Sequence, residues 1–149
     1  MKIDEEIKQR KFKSIYQKAH INTIFTANWL IDNTQKLLKP FGITHQQFNV
    51  LKILKGKYPN NCTANYIKEV MLDKGPDLTR LVDRLINKRY VTRSVCEVNR
   101  RKLDITINDK GLTLVKKIEP KLGIQFIKQK KITEKEAKEL SRILDKMRG

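Results

Sequence analysis

The stretch Leu72-Asp73-Lys74-Gly75-Pro76-Asp77-Leu78-Thr79-Arg80-Leu81-Val82-Asp83-Arg84-Leu85-Ile86-Asn87-Lys88 decides the fold of this chain. Leu78, Leu81, Val82 and Leu85 recur at spacings of three and four, so on a helix they form one apolar stripe suited to burial. Asp77, Arg80, Arg84 and Lys88 fall on the opposite face. Gly75 precedes a proline and is steered away from helical backbone, Pro76 suits a first helical position, and Asp77 suits the positive end of the helix dipole. The spacing therefore predicts a helix over 76–88 with an abrupt start. Arg80 and Arg84 sit one turn apart, and such a like-charge pair disfavours an isolated helix by roughly 0.2–0.5 kcal/mol. An anionic surface outside the fold would relieve it.

Upstream, Thr63 is a good N-cap for a short helix through Ile67, Val70 and Met71. The tight turn Asp73-Lys74-Gly75 joins that helix to the next, and the pair reads as a helix-turn-helix. Downstream the period changes. Tyr90-Val91-Thr92-Arg93-Ser94-Val95-Cys96 is rich in β-branched residues and Leu103-Asp104-Ile105-Thr106-Ile107 alternates apolar with polar, so the two read as paired strands. Their tip, Glu97-Val98-Asn99-Arg100-Arg101-Lys102, carries three consecutive cations. A charged tip is often only a solvated loop, but a hairpin directly after a helix-turn-helix is a wing. Arginine there suits a narrow, electronegative minor groove, so Arg100, Arg101 and Lys102 are the wing candidates.

Further out the chain is helical. No helix breaker interrupts 4–39, where Ile15, Ala19, Ile24, Ala27, Ile31 and Leu38 form an imperfect stripe and Phe25 and Trp29 sit one turn apart. One long helix, or two in line, is expected there. A helix of more than ~30 residues far exceeds the globular mean of about 11–12, so its apolar positions are expected to meet a partner chain as well as their own domain. Lys39-Pro40-Phe41-Gly42 ends it. Thr44 with Gln47 forms a capping box ahead of Phe48, Leu51, Ile53 and Leu54. Asn108 caps another helix that runs through Leu112, Val115 and Ile118 to a kink expected at Pro120, and Leu122, Ile124, Phe126 and Ile127 carry the pattern on. Thr133 with Glu136 is a third capping box, opening a final helix with the narrow stripe Ala137, Leu140, Ile143, Leu144 and Met147. Little chain remains for that stripe to pack on, so a homodimer contact with the long first helix is the economical explanation. The fold class is mainly α with a small β-hairpin wing. A winged helix-turn-helix lobe over 43–107 is flanked by dimerisation helices over 4–39 and 109–147 within one unit, 1–149.

The chain has 149 residues, with 33 Lys and Arg against 16 Asp and Glu, for a formal net charge of +17. That excess implies a polyanionic partner, with double-stranded DNA ahead of a membrane surface, because neither a clear membrane-binding amphipathic helix nor a lipidation signal is present. The N-terminal residues are too acidic and polar for a signal peptide, and no apolar run approaches the ~18 residues of a membrane span. A cytoplasmic location is expected. Cys62 and Cys96 lack metal-site or disulfide spacing and read as reduced thiols, and a redox switch at either would need a lowered thiol pKa. His20 and His45 are the only histidines. They lie in different helices with no carboxylate cluster beside them, so no metal, cofactor or catalytic residue is expected.

Taken together, Ile43-Thr44-His45-Gln46-Gln47-Phe48-Asn49-Val50-Leu51, Leu78-Thr79-Arg80-Leu81-Val82-Asp83-Arg84-Leu85, Asn99-Arg100-Arg101, Leu103-Asp104-Ile105-Thr106-Ile107 and Lys110-Gly111 resemble the MarR family of winged helix-turn-helix transcription regulators. The resemblance runs from about Ile43 to the C-terminus. It implies a dimer whose first and last helices intertwine, two lobes straddling a pseudo-palindromic operator, and repression relieved by a ligand or an oxidant. By position, Asp77, Thr79 and Arg80 would face the major groove, Arg84 and nearby cations the phosphates, and Arg101 the minor groove. An effector pocket is expected where the first two helices meet the lobe, with Phe25, Trp29 and Phe48 as candidate lining residues, although core packing is the commoner role for such aromatics.

Three positions depart from the family pattern. Arg89 stands where glycine usually follows the recognition helix, so either a left-handed residue is strained there or the helix ends differently. Asn99 replaces the usual wing aspartate. No cysteine lies near the start of the first helix, where peroxide-sensing members keep theirs. A sequence-tolerant binder of DNA or RNA explains the charge equally well, but not a threonine and an arginine in the first turn of the recognition helix. RNA readers also favour aromatic stacking surfaces, and aromatics make up 7% of this chain.

Overall fold

The computed structural model describes residues 2–95, 103–128 and 132–149. In chain order the elements are α1 (Ile3–Glu6), α2 (Ile15–Leu38), a 3-10 turn (Lys39–Phe41), α3 (His45–Lys57), β1 (Cys62–Thr63), α4 (Ala64–Val70), α5 (Leu78–Asn87), β2 (Val91–Val95), β3 (Leu103–Ile107), α6 (Asp109–Lys128) and α7 (Glu134–Arg148). They form two compact units, 1–115 and 116–149.

The helix expected over 4–39 is broken. After α1, Lys8 takes a left-handed backbone with φ of +54°, and α2 restarts where the Ser14 hydroxyl accepts from the Gln17 N–H at 3.1 Å. Gln17 replies through its side-chain oxygen, which accepts from the Lys13 N–H at 2.7 Å. A serine cap and one left-handed lysine thus make a break without proline or glycine. Ile3 is buried, and Asp4 pairs with Lys18 at 2.7 Å, which ties α1 back to the first turns of α2.

At Gly42 the chain turns with φ of +67°, and the capping box of Thr44 and Gln47 opens α3 as expected, with bonds of 3.2 and 3.1 Å. Gln35 of α2 grips this turn from above. Its amide donates to the Ile43 carbonyl at 3.3 Å and its carbonyl accepts from the His45 N–H at 3.0 Å. The core of the first unit gathers Leu38, Val50, Leu51, Leu54, Ile67, Val82, Leu85, Val91, Ile105, Ile107 and Val115, all buried.

The three strands form an antiparallel sheet in the order β1-β3-β2. The two expected strands do pair, and in their register Val91 faces Ile107 and Val95 faces Leu103. The sequence reading missed β1, whose two residues pair Cys62 with Ile105 and Thr63 with Asp104. Two residues carry no readable period. Asn61 secures this edge by donating to Asp104 at 3.4 Å and accepting from the Thr106 hydroxyl at 2.6 Å.

Asn108 does more than cap α6. Its carbonyl oxygen accepts from the Gly111 N–H at 3.0 Å, its amide donates to the Arg89 carbonyl at 3.1 Å, and its own N–H donates to the Tyr90 carbonyl at 3.2 Å. The end of α5, the sheet and the start of α6 are buckled together through one residue. Gly111 is required by the same closeness, because a Cβ there would overlap the Tyr90 carbonyl oxygen and lie 2.7 Å from Ile107 Cγ1.

In the second unit α6 continues through Pro120 to Lys128, and Ile118 and Leu122 are buried. Thr133 and Glu136 cap α7 in the expected reciprocal box. No residue of α7 is buried. No described helix is long and apolar enough to cross a membrane.

Candidate nucleic-acid interface

The recognition helix starts two residues later than its proline suggested. Asp77 keeps an extended backbone and caps α5, accepting from the Thr79 N–H at 2.9 Å and the Arg80 N–H at 3.4 Å. Pro76 therefore precedes the cap. One carboxylate that satisfies two orphan donors outweighs a proline that merely lacks one. The turn before it is also fixed, with the Leu72 N–H donating to Asn49 Oδ1 at 3.0 Å and the Gly75 N–H to Asp73 Oδ1 at 3.0 Å.

Leu78, Leu81, Val82 and Leu85 are buried as the stripe predicted, while Thr79, Arg80 and Arg84 are exposed. Neither Arg80 nor Arg84 joins an ion pair among the described residues, so their mutual repulsion is not relieved within the described fold. Lys88 is differently placed. It is the C-cap of α5, its ammonium donates to the Gly42 carbonyl, and its own carbonyl accepts from Lys110 Nζ at 3.2 Å. Of the five helix residues singled out from sequence, Asp77 and Lys88 hold the helix in place, and Thr79, Arg80 and Arg84 are presented outward.

Arg89 is left-handed, with φ of +59°. Its N–H donates to the Ile86 carbonyl at 2.8 Å and the Tyr90 N–H to the Leu85 carbonyl at 3.0 Å, so α5 ends in the turn that glycine normally makes.

One contact escaped the sequence reading. Arg93 of β2 pairs with Asp83 of α5 at 2.5 Å, joining the recognition helix to the root of the wing. No spacing rule links residues on a helix and the following strand, so no local signal could have found it. The wing tip, with Cys96 and the candidates Arg100, Arg101 and Lys102, lies outside the described residues.

The effector candidates are dispersed in character. Phe48 belongs to the buried core, Phe25 is half-buried, and Trp29 is 48% exposed along α2. Burial pushes the Cys62 thiol above its ordinary value, which disfavours the thiolate that redox chemistry needs. Among the described residues no three His, Cys, Asp or Glu side chains cluster as metal ligands would.

A short helix pair with a rigid turn, an outward-facing polar helix tip and a hairpin beside it define a winged helix-turn-helix protein. No family model matches the chain. It is 31% identical over 117 residues to the HTH-type transcriptional regulator MgrA of Staphylococcus aureus, covering 76% of each chain. Its fold is similar to that of a MarR-like transcription regulator from Bacillus cereus, with a TM-score of 0.76 at 19% identity, covering 91% of this chain and 97% of that one. A mutant MarR from E. coli complexed with operator DNA superposes with a TM-score of 0.74 at 26% identity, covering 85% and 91%. The chain belongs to the MarR family of winged helix-turn-helix transcription regulators.

Proposed function

We propose that this protein works in the cytoplasm as a homodimer on double-stranded DNA, places two copies of α5 in successive major grooves of an inverted-repeat operator, and represses transcription there. The observation that carries this is the tip of α5. Because Asp77 satisfies the backbone donors of the first turn, the exposed side chains of Thr79 and Arg80 are left for base edges, and Arg84 for phosphate. The solved relative in complex with operator DNA supports the same use of the fold.

Phosphate contacts set affinity and register, while Thr79 and Arg80 select bases at about 1–3 kcal/mol per good bidentate pair. Arg100, Arg101 and Lys102 extend the contact into the flanking minor groove. The exposed apolar positions of α2 and α7 supply the dimer contact. A small-molecule effector near Phe25 and Trp29 releases the operator by favouring a lobe spacing that the duplex does not fit. No catalytic role is assigned.

The test is selection of random duplexes on the purified protein, followed by titration of the selected duplex and a random one at several salt concentrations. An inverted repeat with half-sites about 34–36 Å apart is expected, with log affinity falling against log salt by about 0.9 per neutralised phosphate. Arg101→Ala weakens binding to that duplex. Equal affinity for both duplexes refutes operator reading and leaves a sequence-tolerant binder.

A further inference from the structure

Leu72 is 90% exposed, the highest value among the large apolar side chains described. Its backbone is not loose. The Leu72 N–H is held by Asn49 from α3, and Asp73 closes the turn on Gly75, so the side chain is projected outward from a fixed point. It stands apart from the exposed apolars of α2 and α7, which recur at helical spacing and so make faces that a second copy can close. Leu72 sits in a turn, with Val70 as its one exposed apolar neighbour within three residues.

What adjoins it is the recognition tip. Lys74, Gly75, Asp77, Thr79 and Arg80 are exposed in succession from the turn into α5. Asp77 lies five positions after Leu72, a reach of at most ~18 Å, against a major groove ≈ 12 Å wide. Only one feature of the major groove suits a side chain with no polar atom. That is the C5-methyl of thymine, which apolar side chains read by contact. Lys74 beside it supplies the cation that a phosphate on the same strand requires.

We propose that Leu72 is a specificity-determining residue that packs against one thymine methyl in each half-site, next to the bases met by Thr79 and Arg80. This rests on the operator-binding reading above. The experiment replaces each thymine of the selected operator in turn with deoxyuridine, which removes only the methyl, and measures affinity for the wild-type dimer and for Leu72→Ala. At one thymine per half-site the wild type loses about fourfold, the worth of one buried methylene, and Leu72→Ala loses nothing further there. The melting temperature of Leu72→Ala matches the wild type, since its side chain packs on nothing. If the wild type prefers its operator but no deoxyuridine effect depends on Leu72, this proposal falls and operator reading stands. If the wild type shows no preference between operator and random duplex, both fall.

Discussion

Helices α5 and α7 are built alike and end differently. Each opens on a side-chain cap, Asp77 or Thr133, and each carries apolar residues at spacings of three and four. In α5 that stripe is buried throughout, whereas in α7 Leu140, Ile143 and Met147 remain 49%, 42% and 52% exposed. α2 behaves as α7 does, burying Leu38 alone while Ile24, Trp29, Leu30 and Ile31 stay open. An amphipathic pattern says that a face must be covered, but not by which chain. In α5 the cover is intramolecular and leaves the polar face exposed, where the proposed function puts DNA. In α7 no residue is buried, and under the proposed function a second copy supplies the cover.

The sharpest way to break this contrast is to charge the open face. Leu140→Asp combined with Ile143→Asp is expected to dissociate the dimer and reduce operator affinity by about 10²–10⁴, because two half-sites are no longer engaged together. Sedimentation velocity and operator titration read both effects. A double variant that stays dimeric and binds normally would remove α7 from the interface.

In the lobe, Leu51→Ala should lower unfolding free energy by about 2–5 kcal/mol, independently of protein concentration. Leu140→Ala should instead make the melting temperature more dependent on concentration. Thermal melts across a hundredfold concentration range separate the two.

Arg89→Gly is expected to stabilise the lobe by about 0.5–1 kcal/mol, the relief of a left-handed side chain less the added freedom of the unfolded chain. Denaturant titration tests it. A loss of stability would mean that the arginine side chain itself supports the turn.

The smallest effect concerns pH. Hydrogen bonds from the Thr133 N–H and hydroxyl to Glu136, at 2.7 and 2.8 Å, hold its carboxyl below the ordinary value, and Arg142 does the same for Glu139. A depressed carboxylate stabilises the fold above its unfolded pKa, and that contribution disappears as pH falls through the folded value. Amide protection in the first turn of α7, measured against the intrinsic exchange rate at each pH, should therefore fall on acidification below the ordinary glutamate range, and Glu136→Gln should reduce that dependence to the part due to Glu139.

Much of this structure was legible because its determinants lie within four residues of each other. Thr44, Thr63 and Thr133 each cap a helix at the expected place. The stripe of α5 and the strand character of β3 follow from periods of 3.6 and 2. The break at 7–14 was not legible, because neither Lys8 nor Ser14 is an obligate breaker and the deciding hydrogen bonds had to be seen. Nor did the helical pattern show why residue 111 is glycine, since that rests on the Tyr90 carbonyl coming too close for any side chain.

The candidate site divides in the same way. Sequence alone set which residues line the outer face of α5 and how strongly positive the surroundings are, since helical geometry and charge are local or additive. It did not tell Arg84, which projects freely, from Lys88, which is bound to Gly42, 46 residues earlier. Nor did it pair Asp83 with Arg93. Those assignments depend on where distant segments meet after collapse, and a side chain's task is settled by whichever donor or acceptor packing brings within reach.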